Sequence, residues 1–270
     1  MTLTRESYAA AVERLEALDA EAAELAGAAD EMLAVAGLLT REPRLRRALS
    51  DPARSGDDRA LLFQRVAGDR LGALAADLLT TLVKGRWSRP AELLDATERL
   101  GVDALLLAAD KDGKLADVED ELFRFGAIVR GNRHLASELD DSTVEPGQRA
   151  ELARLLLDGR AQAVTVRLVE VAVHGLGGRS FDASLTRLVE LAAARREREV
   201  AYITVASPLS DEDERRLGDK LSELYRREVS LKITVDPRIL GGMRVQVGHD
   251  LYDGTVIRRL NETRNALAGR

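Results

Sequence analysis

The chain has 270 residues, 45% of them hydrophobic and only 3% aromatic, with a formal net charge of −6 and no cysteine. That length leaves room for two or three compact units, whose cores must come from closely packed Ala, Leu and Val because large rings are too few to fill them. The missing cysteines exclude disulfides and thiolate metal sites, and the acidic balance argues against a nucleic-acid backbone as main partner, since that binding draws on a clustered cationic face.

The opening, MTLTRESYAA, lacks the apolar core of a signal peptide, and no apolar run approaches the roughly 18 to 20 residues that span a bilayer. A soluble chain that meets a membrane only through protein partners is expected. Tyr8, Ala11, Leu15, Leu18, Ala22, Leu25, Ala29 and Met32 then alternate in steps of three and four, a narrow apolar stripe along a helix. Half of that stripe is Ala or Tyr and Gly27 and Gly37 interrupt it, which favours a bundle helix pair over a long coiled coil. Ser55 and Asp58 have cap spacing before Leu61, Leu62, Phe63 and Val66, and Ser88 with Pro90 opens a run through Leu93, Leu94, Leu100 and Leu105. Ser142 and Glu145 precede Leu152, Leu155 and Leu156 in the same way. Gly175, Gly177 and Gly178 form a helix-helix turn before Leu185, Leu188 and Leu191.

These helical runs repeat. Shifting the sequence by about ninety residues aligns 30–85 with 120–175 without a gap, with identities that include Asp30/Asp120, Glu31/Glu121, Leu49/Leu139, Arg59/Arg149, Leu78/Leu168 and Gly85/Gly175. Apolar character persists at Leu33/Phe123, Leu38/Ile128 and Leu74/Val164, so the same faces are expected to be buried in both copies. The run from Ala91 to Ala109 can serve as the last helix of one copy and the first of the next. A second copy inserted as its own unit could be excised without destroying the first.

After Arg195 to Arg198 the composition turns β-branched. Tyr202 to Val205 reads as a strand, Pro208-Leu209-Ser210 as a turn and cap, and Leu217, Leu221 and Leu224 as an amphipathic helix. Val229, Leu231, Ile233 and Val235 alternate as a second strand. Met243, Val245 and Val247 alternate with Arg244 and Gln246 as a third, dry on one face and wet on the other. Asp253-Gly254 ends it, and from Thr255 onward Val256, Leu260, Thr263 and Leu267 recur at helical spacing. The order is β-α-β-β-α.

No constellation of residues carries chemistry. His134, His174 and His249 have no partner at metal-ligand spacing, and the loop at Gly175 follows a helix and lacks the Lys-Ser/Thr of a phosphate cradle. Asp110, Asp112 and Glu121 have part of a calcium-loop spacing, but Lys114 and Leu115 stand where a ligand and the turn glycine are needed. The expectation is a protein with no catalytic residues, no cofactor and no metal site.

The segment from Asp236 to Leu260 resembles the C-terminal signature of the delta subunit of rotary F-type ATP synthases, the oligomycin sensitivity-conferring protein family. Asp236-Pro237, Gly241-Gly242, Asp253-Gly254-Thr255 and Leu260 appear in the family's order, with Val245 and Gly248 between them. Thr255 stands where the family usually has Ser, and His249 where an acid is common. Tyr8-Ala9 is similar to the family's Tyr-Ala opening. The resemblance implies a mainly α fold with an N-terminal helical bundle over 1–108 and a small C-terminal α/β domain over 199–270, and the repeat adds a duplicated helical bundle over 109–198. The resemblance is expected to run over about 1–108 and 199–270, with the second copy inserted between.

The resemblance further implies a non-catalytic stator, or peripheral-stalk, subunit at the cytoplasmic face of the cell membrane, linking b subunits to the top of the α/β hexamer so that proton-driven rotation is coupled to ATP synthesis. An N-terminal segment of an α subunit would lie in a helical groove of Tyr8, Val12, Leu15, Leu74 and Leu78, and the signature residues would form the joint to b. The residues by themselves also fit an all-helical regulatory adaptor with a C-terminal α/β module, or an enzyme whose site forms only in an oligomer. Co-purification distinguishes these readings.

Overall fold

In the computed structural model, residues 2–197, 200–225, 229–236, 239–247 and 250–254 are described below. The chain divides into two compact units, Met1–Ala192 and Ala193–Arg270.

The first unit is helical. Helices α1 (Thr2–Glu16), α2 (Ala22–Arg41), α3 (Pro43–Leu49), α4 (Gly56–Ala67), α5 (Ala73–Lys84) and α6 (Pro90–Lys111) are followed by α7 (Leu115–Gly131), α8 (Arg133–Asp140), α9 (Pro146–Leu157), α10 (Ala163–His174) and α11 (Phe181–Glu197). Local chemistry sets many of the starts. Pro43, Pro90 and Pro146 stand where a helix has no use for the N–H they lack. The Ser55 hydroxyl accepts the Asp58 N–H at 3.1 Å to cap α4, while Asn132 accepts that of Leu135 to cap α8. At α6 the cap differs from expectation, because Glu92 reaches back to the N–H groups of both Ser88 and Arg89. Ser142 caps no helix, since Glu145 precedes the first residue of α9. The stripe from Tyr8 to Met32 is indeed a helix pair, broken at 17–21, and both Gly27 and Gly37 lie inside α2.

The repeat persists in three dimensions, as α3, α4 and α5 recur about ninety residues later as α8, α9 and α10. Under the same shift Val12 and Leu15 of α1 fall on Val102 and Leu105 of α6, so α6 closes the first copy and opens the second. Every residue from Leu100 to Ala109 is buried. One continuous apolar core runs from Ala11 to Ala192 through both copies. The expected boundary between 108 and 109 therefore falls inside the most buried helix and separates nothing, because a helix buried on all sides belongs to both neighbours. Gly101 permits a close approach of α6 to α2, since a Cβ there would lie 2.9 Å from Leu33 Cγ.

The second unit is a four-stranded sheet with one described helix. Strands β1 (Val200–Val205), β2 (Ser230–Val235), β3 (Met243–Val247) and β4 (Asp250–Asp253) lie in the order β2-β1-β3-β4, with α12 (Asp211–Tyr225) crossing between β1 and β2. β1 and β2 are parallel, as a helical crossover requires, and β3 and β4 form an antiparallel hairpin. Ser210 caps α12 through the Asp213 N–H. Ala201, Ile203 and Val205 share one face of β1 and pack with Leu221, Val229, Val245 and Val247 into a separate small core. β4 adds a strand that the sequence reading ended as a turn. The helix expected from Thr255 lies outside the described residues.

Candidate functional site

The expected groove residues fall on two adjacent helices, and the structure sorts them by depth. Leu15 and Leu78 are fully buried and belong to the bundle's own core, so they hold α1 and α5 together and do not face a partner. Tyr8, Val12 and Leu74 stay partly exposed against that core. Helical spacing identifies an apolar face but cannot separate its floor from its rim, which explains the mixed set.

Polar residues that the periodicity passed over hold the α1/α5 seam. Arg14 of α1 pairs with Asp77 of α5 through two hydrogen bonds, and Ser7 Oγ accepts the Arg86 N–H at 2.8 Å just beyond the end of α5. Ala10 lies one turn from each on the exposed face of α1. The Tyr8 hydroxyl donates to Asp103 of α6, whose other oxygen accepts from Arg99 at 3.0 Å. Burial, reinforced by the Asp103 charge, pushes the Tyr8 phenol far up, so it remains a neutral donor.

The second copy keeps the frame and changes the chemistry. Glu98 of α6, at the position of Tyr8, accepts the Gly177 N–H at 2.9 Å in the turn after α10. Burial raises the Glu98 carboxyl above the usual range, opposed by that hydrogen bond. Arg167 of α10, at the position of Asp77, pairs with Asp30 of α2 at 3.2 Å. The first copy's α2 thus reaches the second copy's α10 across α6.

In the second unit the signature residues shape the chain. The Asp236 N–H donates to Val205 O at 2.9 Å, Ile239 N–H donates to Asp236 O at 3.0 Å, and Gly242 takes φ of 80°, where a side chain is strained. Gly241 lies beside it in the same bend. Val245 is buried in β3 between Ile203 and Tyr252. Asp253 pairs with Arg244 at 3.3 Å, and Gly254 N–H closes the hairpin on Met243 O. Pro237, Gly248, Thr255 and Leu260 lie outside the described residues. The side chains free to meet a partner are others: Val235, Leu240, Leu251 and Tyr252 are exposed around this bend and hairpin, Leu240 at 74%. Val235 falls in the strand alternation, but Leu240, Leu251 and Tyr252 escape sequence reasoning because a signature marks where the backbone turns, and the apolar residues between its fixed points carry no periodic signal.

The described residues bring no reactive pair into a cleft. His134 lies 4.0 Å from Glu138 on an exposed face, and His174 Nδ1 lies 2.8 Å from Glu170 O. His249 lies outside the described residues. Glu121, one of the partial calcium-loop acids, instead accepts the Gln162 N–H at 2.9 Å and the Thr165 hydroxyl at the start of α10. No group of three His, Cys, Asp or Glu among the described residues could hold a metal, and none of the described helices is long and apolar enough to cross a membrane.

Comparison with known proteins bears on this arrangement of a helical bundle followed by a small α/β unit. The family model for the ATP synthase delta (OSCP) subunit matches residues 102–267. That span takes in the second copy and the C-terminal unit without interruption, which corrects the expectation that the resemblance covers 1–108 and 199–270. The helices that continue into the family's C-terminal domain are those of the second copy. The chain is 63% identical to an ATP synthase subunit delta of Salinispora arenicola over 269 residues, 99% of this chain and 98% of that protein. Proteins of the same name from Streptomyces avermitilis, at 48% over 98% of this chain and 97% of theirs, and Kineococcus radiotolerans, at 40% over 99% and 97%, are also similar throughout. The signature in the second unit, the family match and the full-length relatives agree that the chain belongs to the ATP synthase delta (OSCP) subunit family.

Proposed function

We propose that this chain is the joint between two bodies of the ATP synthase, with the helical unit gripping an α subunit at the top of the α/β hexamer and the C-terminal unit gripping the b subunits. As a member of its family it is a non-catalytic peripheral-stalk subunit of an F-type enzyme. The finer assignment of its partners is supported by one observation, that each unit has its own core with exposed apolar side chains outside it. A link needs two separate grips. Rotation of the central shaft drags the hexamer round, and only an outer tether lets that torque deform the catalytic sites.

The α contact would lie at the α1/α5 seam, around Tyr8, Val12 and Leu74, where an amphipathic helix would meet an apolar rim bordered by the Arg14–Asp77 ion pair. The b contact is placed at the bend and hairpin of the second unit, around Leu240 and Leu251. Both are joints that need slow dissociation, which favours desolvated apolar centres over exposed charge pairs. The protein then resides at the cytoplasmic face of the cell membrane, attached through its partners. Binding of the full chain to a synthetic C-terminal segment of the cognate b subunit tests the assignment. Leu251→Glu should weaken that binding at least tenfold while leaving binding to an α N-terminal peptide unchanged, and an unchanged b affinity would remove the hairpin from the joint.

A further inference from the structure

The exposed face of α1 has a counterpart in the second copy that is not exposed. Ala10, Glu13 and Arg14 on α1 and Ala17 just past its end are solvent-facing, whereas Leu100, Asp103, Ala104 and Leu107, their counterparts on α6, are buried. The cover comes from the first copy. Tyr8 of α1 bonds Asp103, and α2 lies so close to α6 that Leu33 and the Ala29 carbonyl crowd Gly101. Asp30 of α2 then reaches over to Arg167 of α10 at 3.2 Å.

The second copy also shows what this face looks like when uncovered. Asp120 and Phe123 of α7 occupy the positions of Asp30 and Leu33, yet Phe123 is 58% exposed because no third copy follows, while Leu33 is partly buried. The cover on α6, tied to α10 by the Asp30–Arg167 pair, is thus a contact between copies and not a property of each bundle by itself.

We infer that the first copy occupies the second copy's version of the helix-docking seam, leaving α1/α5 as the single free seam, so that this chain accepts one α-subunit helix and not two. The inference rests on the proposal that an α segment docks in such a seam. The occupant is a helix because the equivalent surface of α6 already accepts an amphipathic one, α2, which reaches α10 through Asp30. At α1/α5 the small exposed Ala10, with Ala17 just past the end of α1, leaves room for a second helix to lie. The duplication therefore enlarges the helical unit without doubling its grip.

Titration calorimetry of the purified full chain with a synthetic peptide of the cognate α subunit's N-terminal segment tests this, with hydrogen exchange to map protection. One site per chain, protection on α1 and α5, and at least tenfold weaker binding by Ala10→Arg are expected. Ala10 is exposed and mid-helix, so the fold should survive that change. Arg167→Ala, on the covered seam, should leave the affinity within twofold. Two sites per chain, protection confined to α10, or an Ala10→Arg variant that binds as before would overturn the single-seam inference while leaving α docking intact. If the peptide does not bind while the b segment still does, the α contact itself is wrong and the inference falls with it.

Discussion

Arg59 shows how a single charged side chain is made compatible with a core. It is 3% exposed, yet it donates to the carbonyls of Asp51, Val83, Lys84 and Gly85, joining α4 to the carbonyl-rich C-terminal end of α5. Those last carbonyls have no partner within their helix, and the negative end of the helix dipole favours a cation there. Arg59→Ala should leave several buried acceptors unpaired and lower stability by about 2–4 kcal/mol, measured by urea unfolding. Tyr8→Phe should cost about 1–2 kcal/mol, because it keeps the ring but leaves one Asp103 oxygen without its donor.

Glu98 gives the pH dependence a definite sign. Its folded-state pKa is raised, chiefly by burial, so the folded protein holds that proton more tightly than the unfolded chain does. Its contribution to stability therefore falls as pH rises from the ordinary glutamate value toward the raised one, and the deficit persists above it. Glu98→Gln, whose amide oxygen can still accept the Gly177 N–H, should raise the melting temperature at neutral pH. Its advantage should shrink on acidification through that window, and a constant advantage across the range would remove the titration argument.

At the scale of elements, the repeat preserves devices as well as faces. Glu31 of α2 accepts the Gly72 N–H at 2.7 Å at the start of α5, and Glu121 of α7 accepts the Gln162 N–H at the start of α10. A carboxylate from a neighbouring helix thus caps a helix that opens with no capping side chain of its own. Glu31→Ala should cost about 1 kcal/mol and loosen amide protection in the first turn of α5. In the sequence this pair was visible as an identity and nothing more, since a cap supplied from a distant helix has no local signature. The bend at Gly242 was legible, because a glycine pair after an Asp-Pro announces a backbone that other residues resist. Gly242→Val should destabilise the second unit by about 1–3 kcal/mol and lower b-segment affinity, with the helical signal at 222 nm retained.

For the whole molecule, the shared helix decides what can be removed. Excising 110–199 deletes α7 to α11 and strips cover from α6, where Leu105, Leu106 and Leu107 are each no more than 1% exposed. The shortened chain should keep helical circular dichroism but lose a cooperative thermal transition and bind a hydrophobic dye. A sharp transition near that of the full chain would show that the first copy closes its core alone. This expectation reverses the one drawn from the repeat, which marks units of sequence and not units of packing.

The sequence by itself determined most helix and strand types, the caps at Ser55 and Ser210, the repeat and the C-terminal signature, because each is written in local residue pattern or in self-similarity along the chain. Only the tertiary structure decided that the two copies form one unit, that Leu15 and Leu78 are floor and not rim, and that one of two equivalent seams is already filled. Those outcomes depend on which apolar face lies against which, and a periodic pattern shows that a face will be buried without showing what buries it.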